Sequence, residues 1–112
     1  MGKTGLAVSP FKLQMIDDTT KTLYNEFHDC FERMAAMVQQ NSEAHGFWKD
    51  GITRNQPEMI CLMHSELSEA LEAIRNDYPQ DKHCPGVGNL EIEFADCIIR
   101  ILDTCGRYRI PL

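Results

Sequence analysis

From about Thr19 to Asn41 the apolar residues Leu23, Phe27, Phe31, Met34 and Val38 return every three or four positions, while Glu26, Asp29 and Glu32 fall elsewhere on the wheel. That period predicts a first amphipathic helix. "HGFWKDGITRNQ", His45–Gln56, interrupts it with two glycines and reads as a loop. Pro57 suits the first position of a second helix, where its missing N–H has no helical partner to lose, and the pattern continues to about Asn76. "DYPQDKHCPGVGN", Asp77–Asn89, carries two prolines and two glycines and reads as a linker. A third helix is predicted over Leu90–Cys105, capped by Asn89 and ended by Gly106. No segment reads as a strand. The expected fold is an all-α antiparallel helical bundle, with residues 1–16 a flexible N-terminal leader and 17–112 a single helical domain.

The acids inside these helices do not sit where solvated acids usually do. With Glu66 at zero and roughly 100° per residue, Ile60, Met63, Leu67, Ala70, Leu71 and Ile74 span roughly 40° to 140°, and Met59, Leu62 and Ala73 lie within about 40° of Glu66. Glu66 is enclosed by apolar neighbours, Glu69 lies one turn on at the edge of that face, and Glu72 points toward solvent. In "LEIEFADCIIRILD" the residues Glu93, Asp96, Arg100 and Asp103 form one stripe about 80° wide, and nearly all the rest is apolar. A helix apolar over most of its circumference is buried, so its charged stripe is expected to be paired or to bind metal. One i, i+3 pair of acids is ordinarily a solvated face. Two such pairs, Glu66/Glu69 and Glu93/Asp96, on consecutive helices in apolar surroundings point to convergence. One Arg100 cannot neutralise four carboxylates, whereas a hard divalent cation can. An all-oxygen donor set suits Mg²⁺, with Mn²⁺ as a substitute.

Composition narrows the classes. A chain of 112 residues with 43% hydrophobic residues supports one modest core and leaves no room for a second domain. The formal charge of -6, with 11 scattered Lys and Arg, argues against nucleic acid as a partner. An anionic ligand would then need a cation between itself and the protein. The five cysteines are odd in number and fall mostly inside helical patterns, so reduced core thiols are expected. No signal peptide or membrane-length apolar run is found, which favours no membrane partner and a cytoplasmic location. "GKT" at Gly2–Thr4 lacks the glycine-rich loop of a P-loop, and Leu6 stands where a myristoylation signal wants Ser or Thr. A di-iron bundle needs Glu-x-x-His, but Asn25, Ser42, Cys61 and Gln80 stand three before the histidines. Cys61-x-x-His64 with His83 or Cys84 is a weak zinc pattern, because its second pair is adjacent rather than spaced.

E-x-x-E on one helix, a linker, then E-x-x-D on the next, here "HSELSEALEAIR" and "EIEFADCIIRILD", resembles the MazG-like branch of the all-α nucleoside triphosphate pyrophosphatases, and "HGFWKD" is similar to the lead-in of small MazG-like proteins. The resemblance covers about residues 45–110. It implies a four-helix-type MazG-like bundle completed by oligomerisation as a dimer or tetramer, with Mg²⁺ held by Glu66, Glu69, Glu93 and Asp96. It also implies hydrolysis of a (d)NTP to the monophosphate and pyrophosphate, in the manner of nucleotide-pool house-cleaning. Glu66, the most enclosed acid, is the expected general base, since burial raises a carboxylate pKa. Trp48 is a candidate to stack on the base and Lys49 to reach a phosphate, with a packing plug and a surface charge as the plainer alternatives. Arg100 and Asp103 either contact substrate or pair with each other to orient the ligands. Oligomerisation is also expected from helix three itself, which in a lone three-helix chain would expose Ile92, Ile99 or Leu102. The non-enzymatic alternative is a catalytically silent interaction module of the same fold.

Overall fold

A computed structural model of the chain describes residues 17–49 and 54–112; the expected leader, 1–16, lies outside them. The described residues are all-helical: α1 Asp18–Ala44, α2 Gln56–Arg75 and α3 Asn89–Tyr108. The first two helices start on a side chain that satisfies an otherwise orphaned N–H. Asp17 accepts from Thr20 N–H at 2.7 Å, and Asn55 accepts from Glu58 N–H at 2.8 Å. With Asn55 as the cap, Pro57 takes the second helical position rather than the first. At α3 the cap is Gly88, not Asn89, and the Glu91 carboxylate reaches back to accept the Gly88 N–H at 2.7 Å.

Nor does Gly106 end α3, which continues to Tyr108 and stops where Arg109 turns left-handed at φ 54°. Gly106 is instead where α1 crosses α3. A Cβ there would lie 2.6 Å from the Ala35 carbonyl oxygen and 2.8 Å from Gln39 Cβ, so only glycine allows this approach.

α3 packs against both other helices. Against α2 it runs antiparallel: Tyr108 Oη donates to Arg54 O, Cys97 Sγ to Met63 O, and Asn89 N–H to Pro79 O at the far end. The side of α2 that faces α3 is the one centred on Glu66, with Met59, Ala70 and Ala73 buried beside it. Ile60, Leu67, Leu71 and Ile74, the face the apolar pattern favours, stay about half exposed. Leu102 is buried, contrary to expectation, while Phe94, Ile98 and Ile99 are exposed. The thiols also divide. Cys97 and Cys105 are core residues, whereas Cys30, Cys61 and Cys84 are exposed, and all are free.

Candidate metal centre

The antiparallel pairing of α2 and α3 sets Glu66 and Glu69 opposite Glu93. One ligand oxygen from each of the three lies within 4.8 Å of the other two. Glu66 is only 6% exposed, and its Oε1 accepts from Arg100 Nε at 2.7 Å. Glu69, one turn on, faces outward. Glu93 Oε2 is buried with no hydrogen-bond partner. Asp96 is not part of this close group; it lines the adjoining cavity instead. Cys61, His64, His83 and Cys84 do not gather into a metal-binding group among the described residues.

Crowded carboxylates with one paired guanidinium hold protons tightly. Burial, reinforced by the neighbouring Glu66 and Glu69, pushes Glu93 up to about 8. Burial and the Glu66 charge raise Asp96 as well. Glu66 does not follow the expectation that enclosure raises its pKa. Burial does push it up, but the hydrogen bond from Arg100 and the Arg100 charge, helped by the neighbouring Glu93 and Glu69 carboxyls, outweigh burial and hold it below the usual range. An acid held ionised by an arginine is a poor proton acceptor. The proton affinity lies with Glu93 and Asp96.

The cavity beside the cluster is about 510 Å³ and has Glu66, Asp96 and Arg100 at one end. Its other wall is Asn41 and Ser42 at the end of α1, then His45, Gly46 and Phe47 in the following turn, with Asp103 of α3 beside them and Val38 and Ile99 as apolar lining. Sequence reasoning missed this wall, although a signal exists. The α1 stripe that runs through Phe31, Met34 and Val38 turns polar at Asn41 and Ser42, three and four residues further on.

Arg100 and Asp103 do not pair with each other. Arg100 reaches across to Glu66, and Asp103 accepts from Trp48 Nε1 at 2.9 and 3.1 Å and from Ser42 Oγ at 2.9 Å. Trp48 is buried: Arg107 lies 4.9 Å from its ring centroid, and Phe47 and Tyr108 meet it edge-on. Its indole thus packs the core beside the cavity, leaving Phe47 as the aromatic residue on the cavity wall. Lys49 is exposed at the end of the same turn.

The donor set is all carboxylate, it includes a buried oxygen without a partner, and its charge is only partly offset. These features fit a hard divalent cation. Comparison of the chain with protein-family models, with curated proteins and with solved structures finds no match.

Proposed function

We propose that this protein is a Mg²⁺-dependent nucleoside triphosphate pyrophosphohydrolase, converting a (d)NTP and water to the (d)NMP and pyrophosphate, and that it works as a homo-oligomer. The observation that carries this reading is the convergence of Glu66, Glu69 and Glu93, with Glu93 Oε2 buried and unpartnered, beside a cavity of nucleotide size that Glu66 itself lines. Those three residues would hold the cation. Bound Mg²⁺, or Mn²⁺ in its place, supplies charge neutralisation for the triphosphate and lowers the pKa of a coordinated water. Arg100 keeps Glu66 ionised and oriented. Asp96, facing the cavity with a raised affinity for protons, takes the proton of the attacking water in place of Glu66. The water oxygen joins phosphorus, the anhydride bond to the next phosphate breaks, and pyrophosphate leaves. The nucleoside end fits the wall of Asn41, His45 and Phe47, where an amide, an imidazole and a ring face offer both polar and stacking contacts.

Pyrophosphate release is to be measured over the common NTPs and dNTPs with Mg²⁺, for the wild type and for Glu69→Gln, Glu93→Gln and Asp96→Asn. Turnover is expected in the wild type and lost in both glutamine variants at any Mg²⁺ concentration. Asp96→Asn is expected to retain metal binding but turn over much more slowly and lose the acid-side fall of its rate with pH, the limb that a general base sets as it becomes protonated. No turnover with any nucleotide would leave the silent interaction module standing.

A further inference from the structure

The cavity lies between two walls, and both are tied to α3. On the α2 side the tie is Arg100, which donates to buried Glu66. On the other side it is Asp103, nearly one turn further along the same helix and only 5% exposed. Its carboxylate accepts from the Ser42 hydroxyl, near the end of α1, and from the Trp48 indole N–H, in the turn that follows. The residues between, His45, Gly46 and Phe47, line the cavity. The turn is shaped by its own bonds, Gly46 N–H to Glu43 O and Phe47 N–H to Ser42 O, and by the positive φ of Gly46, and Arg54, just before α2, steadies it by donating Nε to Phe47 O at 3.1 Å with its guanidinium 3.9 Å from the Phe47 ring centroid; none of these bonds ends on α3. Among the described residues, the hydrogen bonds that join this wall to α3 are those made by Asp103.

We propose that Asp103 is a positioning residue: it clamps the 45–48 turn and the end of α1 to α3, and so sets the width of the cavity facing the acidic cluster. The chemistry of the side chain suits this role. Both partners are donors, and a carboxylate accepts on two oxygens while donating nothing. An amide keeps one acceptor oxygen and turns an NH₂ toward the second donor. Packing by Arg107 and Tyr108 keeps the indole buried, but the N–H bond fixes which way its ring is turned. The identity of the cavity's ligand rests on the proposed function; the clamp itself does not.

Trp48 is the only tryptophan, so its indole N–H gives a single resonance. The full chain and its Asp103→Ala, Asp103→Asn and Ser42→Ala variants are to be compared in three ways: hydrogen exchange of the indole and of the 45–48 amides, Mn²⁺ binding by electron paramagnetic resonance, and affinity for a non-hydrolysable α,β-imido dNTP with Mn²⁺. In Asp103→Ala the indole and turn amides are expected to lose protection while α2 and α3 keep theirs. Mn²⁺ affinity should stay at the wild-type level, and analogue affinity should fall roughly tenfold, the loss of hydrogen bonds to a charged group. Asp103→Asn and Ser42→Ala should fall in between, and they carry the test if Asp103→Ala does not fold. Wild-type protection of the turn in both Asp103 variants would overturn the clamp. Lost protection with unchanged analogue affinity would overturn its positioning role. If the wild type binds Mn²⁺ but no analogue, the nucleotide reading fails, and Mn²⁺ broadening of the indole resonance decides instead. A smaller or scattered broadening in the variants supports the clamp, and identical broadening rejects it.

Discussion

Glu93 carries the most informative single charge in the protein. Its carboxyl holds a proton up to about 8, against an ordinary value of 4.5. Between those values the folded chain binds a proton that the unfolded chain has released, so stability falls as pH rises through that window. Asp96, also raised, adds to the same trend. Glu66, held low, acts in the opposite sense: its contribution is present at neutral pH and is lost as pH falls through its depressed folded value. With EDTA present, the melting temperature is therefore expected to decline from about pH 5 to about pH 9. Glu93→Gln, which mimics the protonated carboxyl, should remove most of that decline and be at least as stable as the wild type above about pH 8. Saturating Mg²⁺ should flatten the wild-type curve, because the cation replaces the proton as the partner of Glu93. A pH-independent melting temperature in EDTA would show that the three carboxyls are too well solvated to form the site.

At the level of elements, the decisive contact is the crossing of α1 over α3. Helix interiors ordinarily gain up to about 1 kcal/mol when Gly becomes Ala. At Gly106 the added methyl would meet the backbone oxygen of Ala35 at 2.6 Å, and backbone cannot swing aside as a side-chain tip can. Gly106→Ala is therefore expected to destabilise by about 1–3 kcal/mol, the usual cost of overpacking a tight contact. Denaturant unfolding checks the sign: a stabilised variant would show that α1 is held at a greater distance. Displacing α1 also moves Ser42 and the cavity wall, so Gly106→Ala should weaken nucleotide binding more than metal binding. Ser→Ala at position 68, exposed on α2 away from both contacts, serves as a neutral control.

In the whole molecule, α2 turns its Glu66 side to α3 and leaves Ile60, Leu67, Leu71 and Ile74 in a stripe at helical spacing, each between 44% and 50% exposed. Phe94, Ile98 and Ile99 of α3, and Leu23, Phe27 and Met37 of α1, add further exposed apolar surface. That much apolar area at helical spacing is the mark of an association surface. The protein is expected to exceed the 12.8 kDa monomer mass in light scattering at micromolar concentration. Leu67→Glu together with Leu71→Lys should shift it toward monomer while keeping its helical content. A folded, active species of monomer mass in the wild type would sink the expectation. No helix of the described residues is long and apolar enough to cross a membrane.

What the amino-acid order determines by itself is local. The all-helical character, the approximate bounds of the three helices and the enclosure of Glu66 follow from periodicity, caps and breakers, which act within a few residues. The pairing of acids one turn apart on two successive helices is equally visible in the sequence, and with it the chemistry a cation would find. Register and rotation between helices are not local, and only the tertiary structure decides them. The hydrophobic wheel orients α2 on its richest apolar face, yet the packed face is the one that brings Glu66 to Arg100 and Glu93. Periodicity reports which residues avoid water without saying whether the same chain or another covers them. The same limit explains Arg100 and Asp103. Three residues apart on one helix, they look like a pair, but a long guanidinium and a short carboxylate lean to different neighbours once α2 and α1 lie on opposite sides of α3. Gly106 reads as a helix stop in sequence because glycine commonly ends helices; in the fold it is retained inside α3 because two backbones meet there, a reason that exists only once α1 has crossed it.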